Sequence, residues 1–441
     1  MLQRTISNEL RQWSESTHRK PLLLRGARQV GKTSAVRQLA AKSYANFIEL
    51  NLEDRDLLKH FNTEVGLKDF QILLRTILKF DLTLPNTLLF IDEIQEAPWL
   101  LELLRFFYED LPTLSVIASG SLLEVKLKHK VLSMPVGRIQ NLFVYPLTYF
   151  EFLDGIGERD LREFLQGVGW QADIPEALHK RALALFHTYA LIGGMPEAVA
   201  TFIEHQDDPI AVTRVLTDLM TTYVEDVAKY TGLRERDQII HVIENAPLAA
   251  GTRYNFKKFA SSQYSSSAMI KAFDLLERAM IISQAEATDR TELPIVGQKK
   301  RQRKLVFLDV GMVSHRFGLH LDSPQFADLS DLYRGQIAEQ VVGQQLVANG
   351  LWARNKLHYW AKQTTSGVAE VDFIFENRGR MIALEVKSGS TGRLRSLMSF
   401  AESNPTATLT RVYSGTLKTE KHMHVNIHSI PFYLMPRISE L

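Results

Sequence analysis

The run Gly26-Ala27-Arg28-Gln29-Val30-Gly31-Lys32-Thr33, followed by Ser34, sets two glycines ahead of a lysine and two hydroxyls. Glycine lets a backbone wrap closely around a polyphosphate, whose charge is favoured by the N–H groups and dipole of a helix N-terminus. In that arrangement Lys32 reaches the β- and γ-phosphates and the Thr33 hydroxyl ligates Mg²⁺. The apolar run Thr87–Ile91 ends in Asp92-Glu93. Asp92 would hold Mg²⁺ through water, and Glu93 would polarise an attacking water as general base. Ser119, at the end of the next apolar run, suits a contact to the γ-phosphate or the water, or a plain Ser-Gly-Ser turn. Arg138, after Pro135-Val-Gly137, is either an arginine finger or a surface ion-pair partner. ATP and Mg²⁺ are the ligands this set implies.

A second constellation lies far downstream. Asp372 falls within the apolar segment Val371–Phe375, and Glu385-Val-Lys387 ends Met381–Val386, with the turn residues Asn377-Arg-Gly379 between them. Alternation puts Glu385 and Lys387 on one face of a strand. Carboxylates on adjacent strands can cage Mg²⁺ for phosphodiester hydrolysis, with Lys387 orienting the nucleophile or steadying developing charge. Glu339, on a preceding helix, is a further candidate ligand, and Glu370 an alternative one. Between the two constellations sits Lys299-Lys300-Arg301-Gln-Arg303-Lys304. Five cations in six residues suit phosphate contacts or a solvated loop.

These residues need elements to position them. Pro21–Leu24, Phe47–Leu52, Thr87–Ile91 and Leu114–Ala118 read as strands separated by helical segments, the pattern of a doubly wound parallel sheet. Leu142–Leu147 would close that unit near residue 150. The segment from Leu52 to Thr87, rich in Leu and charge, reads as helical. From Phe150 to about Ser283 apolar residues recur every three or four positions, broken by Gly193-Gly194-Met-Pro196, so this stretch is helical. Phe256–Ala260 and Ser265–Glu277 have the form of two short helices around a polar turn, and Ile281–Glu286 with Lys304–Leu308 that of a wing. From about Arg334 a helix leads into strands at Val371–Phe375, Met381–Val386, Thr410–Tyr413 and Ile430–Leu434.

The totals bound the partners. At 441 residues the chain exceeds one usual core. A net charge of +2 means that any nucleic-acid surface must be a local patch. Cysteine is absent, which excludes disulfides, thiol catalysis and thiolate metal sites and fits a reducing cytoplasm. His422-Met-His424 reads as a surface pair, since no further ligand lies at zinc spacing. No run approaches the roughly 18 apolar residues of a membrane span, so a cytoplasmic chain with no membrane contact is expected.

The motifs Gly-Ala-Arg-Gln-Val-Gly-Lys-Thr, Phe-Ile-Asp-Glu-Ile-Gln, Ser-Gly-Ser, Gly-Arg…Tyr-Pro-Leu, Gly193-Gly-Met-Pro-Glu197 and Phe307-Leu-Asp-Val-Gly311 together resemble the prokaryotic AAA-superfamily ATPases that carry a C-terminal DUF4143 region. The resemblance implies an α/β multidomain chain: a P-loop ATPase domain over 1–150, a helical lid over 151–235, a winged helix over 236–315 and a restriction-endonuclease-like domain over 316–441. It further implies an ATPase acting on DNA, branched or damaged DNA by analogy with junction-cutting nucleases. Two readings follow. In one, hydrolysis is coupled to Mg²⁺-dependent cleavage at Asp372, Glu385 and Lys387. In the other, ATP switches a protein whose nuclease-like domain binds DNA or a protein without chemistry. A finger role for Arg138 in trans would require a homo-oligomer.

Overall fold

The computed structural model describes residues 2–61, 63–121, 137–205, 208–229, 233–321, 335–364, 367–389, 394–422 and 424–441. Pro135, Val136, Arg334 and Met423 lie outside the described residues.

The N-terminal unit is built on a five-stranded parallel sheet in the order β2-β3-β4-β1-β5. Its strands are β1 (Leu22–Arg25), β2 (Asn46–Asn51), β3 (Thr87–Asp92), β4 (Ser115–Gly120) and β5 (Gln140–Phe143). The central strands β3 and β4 are buried along their whole length, which is why they read as unbroken apolar runs rather than alternating ones. Parallel pairing brings the carboxyl ends of β1, β3 and β4 to one edge, with Leu24 opposite Ser119 and Ile91 opposite Ala118. The segment between β2 and β3 is less helical than its composition suggests. Only Arg55–Leu58 and Leu67–Thr76 are α-helical among its described residues, because Gly66 and Pro85 interrupt it.

Among the described residues six helices follow, from Tyr149–Gly155 to Leu233–Ala249. Then come β6 (Arg253–Tyr254), a 3₁₀ segment Phe256–Ser261, the helix Ser266–Arg278, β7 (Ile282–Thr288) and β8 (Arg303–Phe307). The first of the two expected short helices is therefore a 3₁₀ turn. Extended Phe259 and left-handed Ala260 (φ +48°) break it. A chain with those dihedrals cannot continue as an α-helix. After the helix Val310–Arg316, the C-terminal part runs helix Gln336–Ala348, β9 (His358–Thr364), β10 (Gly367–Asn377), β11 (Arg380–Val386), helix Arg395–Ser403, β12 (Thr408–Tyr413), β13 (Lys418–His422) and β14 (Val425–Pro431). Ile430–Leu434 is not one strand: β14 ends at Pro431, and Phe432–Glu440 turns into 3₁₀ helix.

Among the described residues the strands after β5 join one nine-stranded sheet, β13-β14-β12-β11-β10-β9-β7-β8-β6. The seam is β7 beside β9, with Glu286 opposite His358 and Thr288 opposite Trp360 in parallel register. A tight turn of Arg378 and Gly379 links β10 to β11, with Asn377 paired to Arg380. Arg378 (φ +50°) and Gly379 (φ +77°) are both left-handed. Two such residues make a type I′ hairpin, whose fixed register brings Asp372 abreast of Glu385. One apolar cluster extends from Ile6 to Ile438 and crosses positions 150, 235 and 315. The outer face of the five-stranded sheet and the Trp360–Phe400 face of the nine-stranded sheet carry smaller clusters. Among the described residues no helix is long and apolar enough to cross a membrane.

Candidate functional site

The loop at the end of β1 is held open by its own sequence and by three distant segments. Gln29 (φ +59°) and Gly31 (φ +93°) are left-handed, and the helix Lys32–Ser43 starts directly after. A Cβ at Gly26 would overlap the Val144 carbonyl oxygen, so glycine is required there for packing against the end of β5. Arg4 donates to the carbonyls of Val30 (2.9 Å) and Tyr145 (2.6 Å). Arg28 pairs with Glu53 and with buried Asp226 (2.5 Å), while the Tyr223 hydroxyl donates to the Arg28 carbonyl. Asp226 and Tyr223 both belong to the helix Pro209–Lys229, so the loop is clasped to the helical region.

Lys32 is buried, and its ammonium donates to the carbonyls of Gly26 (3.1 Å) and Ala27 (2.8 Å) inside the loop it serves. Burial lowers its pKa to about 8, against the pull of Glu93 and Asp92. Thr33 donates to Asp92 Oδ2 at 2.7 Å, and Ser119 donates to Asp92 Oδ1. Hydroxyl and carboxylate thus meet where the sequence places the Mg²⁺ of a bound nucleotide, and this donor set fits a hard cation held partly through water. Glu93 takes a left-handed backbone (φ +54°) just past β3. Gln95 and Ser121 donate to its Oε2, the latter at 3.4 Å. Burial raises its carboxyl above the usual range, opposed by Gln95 and Lys32. A carboxyl so placed is suited to take a proton from water. Gln95 has no signal of its own in the sequence beyond its place in the Phe-Ile-Asp-Glu-Ile-Gln run. A Cβ at Gly120 would lie 2.5 Å from its Oε1, so that glycine makes room for it.

Arg138 is elsewhere. It precedes β5, whose Gln140 lies beside Leu22 at the amino end of β1, whereas the P-loop leaves the carboxyl end. Its guanidinium pairs with Glu109 at 2.8 Å. Topology therefore excludes Arg138 from its own chain's nucleotide loop, and a finger role requires a second copy.

The clasp carries a prediction. Tyr223→Phe removes a single hydrogen bond to the loop, worth about 1 kcal/mol. Nucleotide affinity measured by fluorescence titration should fall about fivefold. An unchanged affinity at unchanged melting temperature would reduce the clasp to packing.

The second constellation also assembles, with an addition. Asp372 Oδ2 accepts the Val386 amide at 2.8 Å, and Glu385 pairs with Lys387 at 2.6 Å. Glu339, Glu370 and Asp372 converge on the ammonium of Lys304, at 2.5, 3.3 and 3.1 Å. The basic run predicts a DNA-facing Lys304. The residue is instead 1% exposed. Alternation along β8 turns it inward, opposite in direction to Arg303. Burial lowers the Lys304 pKa, but Asp372, Glu339 and Glu370 outweigh that and raise it overall. Burial, then Asp372, raises both Glu339 and Glu385. Among the described residues no group of three or more His, Asp or Glu side chains has a metal-holding arrangement.

The rest of the basic run divides. Lys299 and Lys300 are exposed in the turn before β8, Arg301 donates to the Ala361 carbonyl (2.7 Å), and Arg303 contacts Gln284 (2.9 Å) and Glu286 (3.5 Å). Together with the helix Ser266–Arg278 and the segment Arg354–His358 they line a groove of about 1030 Å³.

Residues 18–153 match the AAA domain. The match covers the five-stranded sheet, its P-loop and the Asp92-Glu93 pair. Residues 183–323 match a domain of unknown function, DUF8612, and residues 334–433 a second, DUF4143. No curated protein sequence matches the chain. Solved structures similar to it include C. elegans PCH-2, at 16% identity over 47% of this chain and 64% of that one (TM-score 0.30). The Thermotoga maritima RuvB Holliday junction branch migration motor shows 16% identity over 64% and 90% (TM-score 0.31). The Aeropyrum pernix ORC1 protein in complex with DNA shows 12% over 72% and 92% (TM-score 0.31). The AAA-matching unit is thus joined to two regions whose models name no activity.

Proposed function

We propose that the chain binds and hydrolyses ATP and uses the nucleotide state to control its grip on DNA. The observation that carries the reading is the Thr33–Asp92–Ser119 chain of hydrogen bonds beside Glu93, at the edge where the P-loop leaves β1. Thr33 and Asp92 would hold Mg²⁺, which supplies charge neutralisation to the phosphates. Lys32 would exchange its loop carbonyls for phosphate oxygens, and Glu93 would orient and deprotonate water.

DNA contact is supported by the order helix Leu233–Ala249, β6, 3₁₀ turn, helix Ser266–Arg278, β7, β8, which is that of a winged helix. Ile270, Lys271, Asp274 and Arg278 are exposed on the helix that would read DNA, and Lys299 and Lys300 stand at the wing. Replacing both wing lysines by Ala should weaken binding to labelled duplex. The slope of log K against log salt should become shallower by about two, given roughly 0.9 per lost phosphate contact. Adding ATP should shift the wild-type affinity. An unchanged slope returns the run to solvated surface, and indifference to ATP breaks the coupling.

For the C-terminal part, the order helix, three antiparallel strands, helix, parallel strand supports a restriction-endonuclease-like reading. Cleavage would need a divalent metal at Asp372 and Glu385 beside Lys387. The cation pairing of the same carboxylates favours the alternative, a nuclease-like domain that binds without cutting.

A further inference from the structure

A hard divalent cation needs several oxygen ligands free to point at one position, and it sheds water reluctantly. The carboxylate cluster between β8, β10, β11 and the helix Gln336–Ala348 has the oxygens, but cations and an amide already engage most of them. Lys304 Nζ lies 2.5 Å from Glu339 Oε2, 3.1 Å from Asp372 Oδ1 and 3.3 Å from Glu370 Oε1, with 2% of its side chain exposed. The faces of Phe373 and Tyr359 flank the ammonium at 5.3 Å and 5.7 Å. Aromatic faces attract a cation at that range, so the ammonium sits in a cage rather than at a rim. Arg253 takes the other oxygen of Glu370 at 3.1 Å, the Val386 amide takes the other oxygen of Asp372, and Lys387 takes Glu385 Oε1. Glu385 Oε2 is buried without a hydrogen-bond partner. The position that an ion bridging Glu339, Glu370 and Asp372 would take is already filled by the Lys304 ammonium. The residues present therefore do not fit the metal that a nuclease reading implies.

We propose that Lys304 is the resident cation of this cluster and that the cluster takes no divalent metal. The ammonium stands among the same oxygens a metal would use, and two cations at one position repel strongly in a buried setting. The carboxylates serve to anchor β8 to β10 and to the helix Gln336–Ala348, fixing the wing strand to the C-terminal sheet from inside.

The test uses the nucleotide-free full-length chain and Mn²⁺ alone, with free ion followed by electron paramagnetic resonance. Wild type and Asp372→Asn should give superimposable titrations, since Asp372 holds no metal. Lys304→Met should gain one site per chain, at least tenfold tighter than any in the wild type, and Asp372→Asn in that background should remove it. A wild-type site lost in Asp372→Asn, or a folded Lys304→Met chain with no new site, overturns the assignment. Should Lys304→Met fail to fold, the comparison of wild type with Asp372→Asn decides alone. DNA binding through the exposed lysines does not depend on this result, so each can fail separately.

Discussion

ATP turnover in Glu93→Gln should fall by about two to four orders of magnitude while nucleotide affinity stays within about threefold of wild type. The substitution keeps the size of the side chain at a position where Gln95 and Ser121 already hold it, and removes its negative charge and its ability to accept a proton. Asp92, Thr33 and Lys32 are untouched, so the binding half of the site survives. Single-turnover phosphate release and a nucleotide titration on the same sample separate the two effects. Equal loss of binding would mean that Glu93 holds the loop rather than acting on water. Turnover near the wild-type rate would move the base elsewhere.

The second large effect is structural. Gly311→Ala should lower stability by about 3 kcal/mol, read as a fall in the urea midpoint, with expression of folded protein falling in parallel. A Cβ there would overlap the Ile192 carbonyl oxygen and lie 2.6 Å from the Gly193 nitrogen, and backbone atoms cannot swing aside as a side chain can. Gly194 is in the same position against the Leu147 backbone, whose nitrogen a Cβ would approach to 2.7 Å. Between the two glycines Asp309 accepts the amides of Gly194 (2.7 Å) and Gly311 (2.9 Å), and burial pushes its carboxyl up to about 6. The Gly-Gly-Met-Pro and Phe-Leu-Asp-Val-Gly runs, distinctive in sequence, thus build one joint between the helices Glu176–Ile192 and Val310–Arg316. A midpoint unmoved by Gly311→Ala would show that the joint relaxes freely.

What could be read from the sequence was local. The P-loop, the acidic pair after an apolar strand and the Asn377–Arg380 hairpin are specified within a few residues, because turn and strand-end chemistry depend on near neighbours. Strand β9 has no legible signal, because His358–Thr364 mixes polar and aromatic residues without clean alternation and its pairing partner β7 lies far back in the chain. Lys304 shows the same limit more sharply. As part of a basic run it looks like its exposed neighbours Lys299 and Lys300, and only partners 35 and 68 residues downstream make it internal. The Asp226 and Tyr223 clasp on Arg28 has no local signal either, since a helix residue 195 positions away meets the loop only through tertiary packing. Arg138 stays between its two readings for a different reason: its position in the chain says nothing about which end of a parallel sheet it occupies, and the ion pair with Glu109 follows from that placement.

The seam between β7 and β9 has a mechanical consequence. Strand pairing runs from β6 through β8 and β7 to β13, with one register shift between β9 and β10, and the Glu286 amide is bonded to the Leu357 carbonyl at 3.0 Å across that seam. Such a ladder transmits force stiffly and does not slide by part of a register. The Phe143 amide of β5 in turn grips the Leu351 carbonyl at 2.8 Å, one strand away from the nucleotide loop. A displacement carried across this bond would therefore reach the far sheet as the tilt of a single plank rather than as a rearrangement within it.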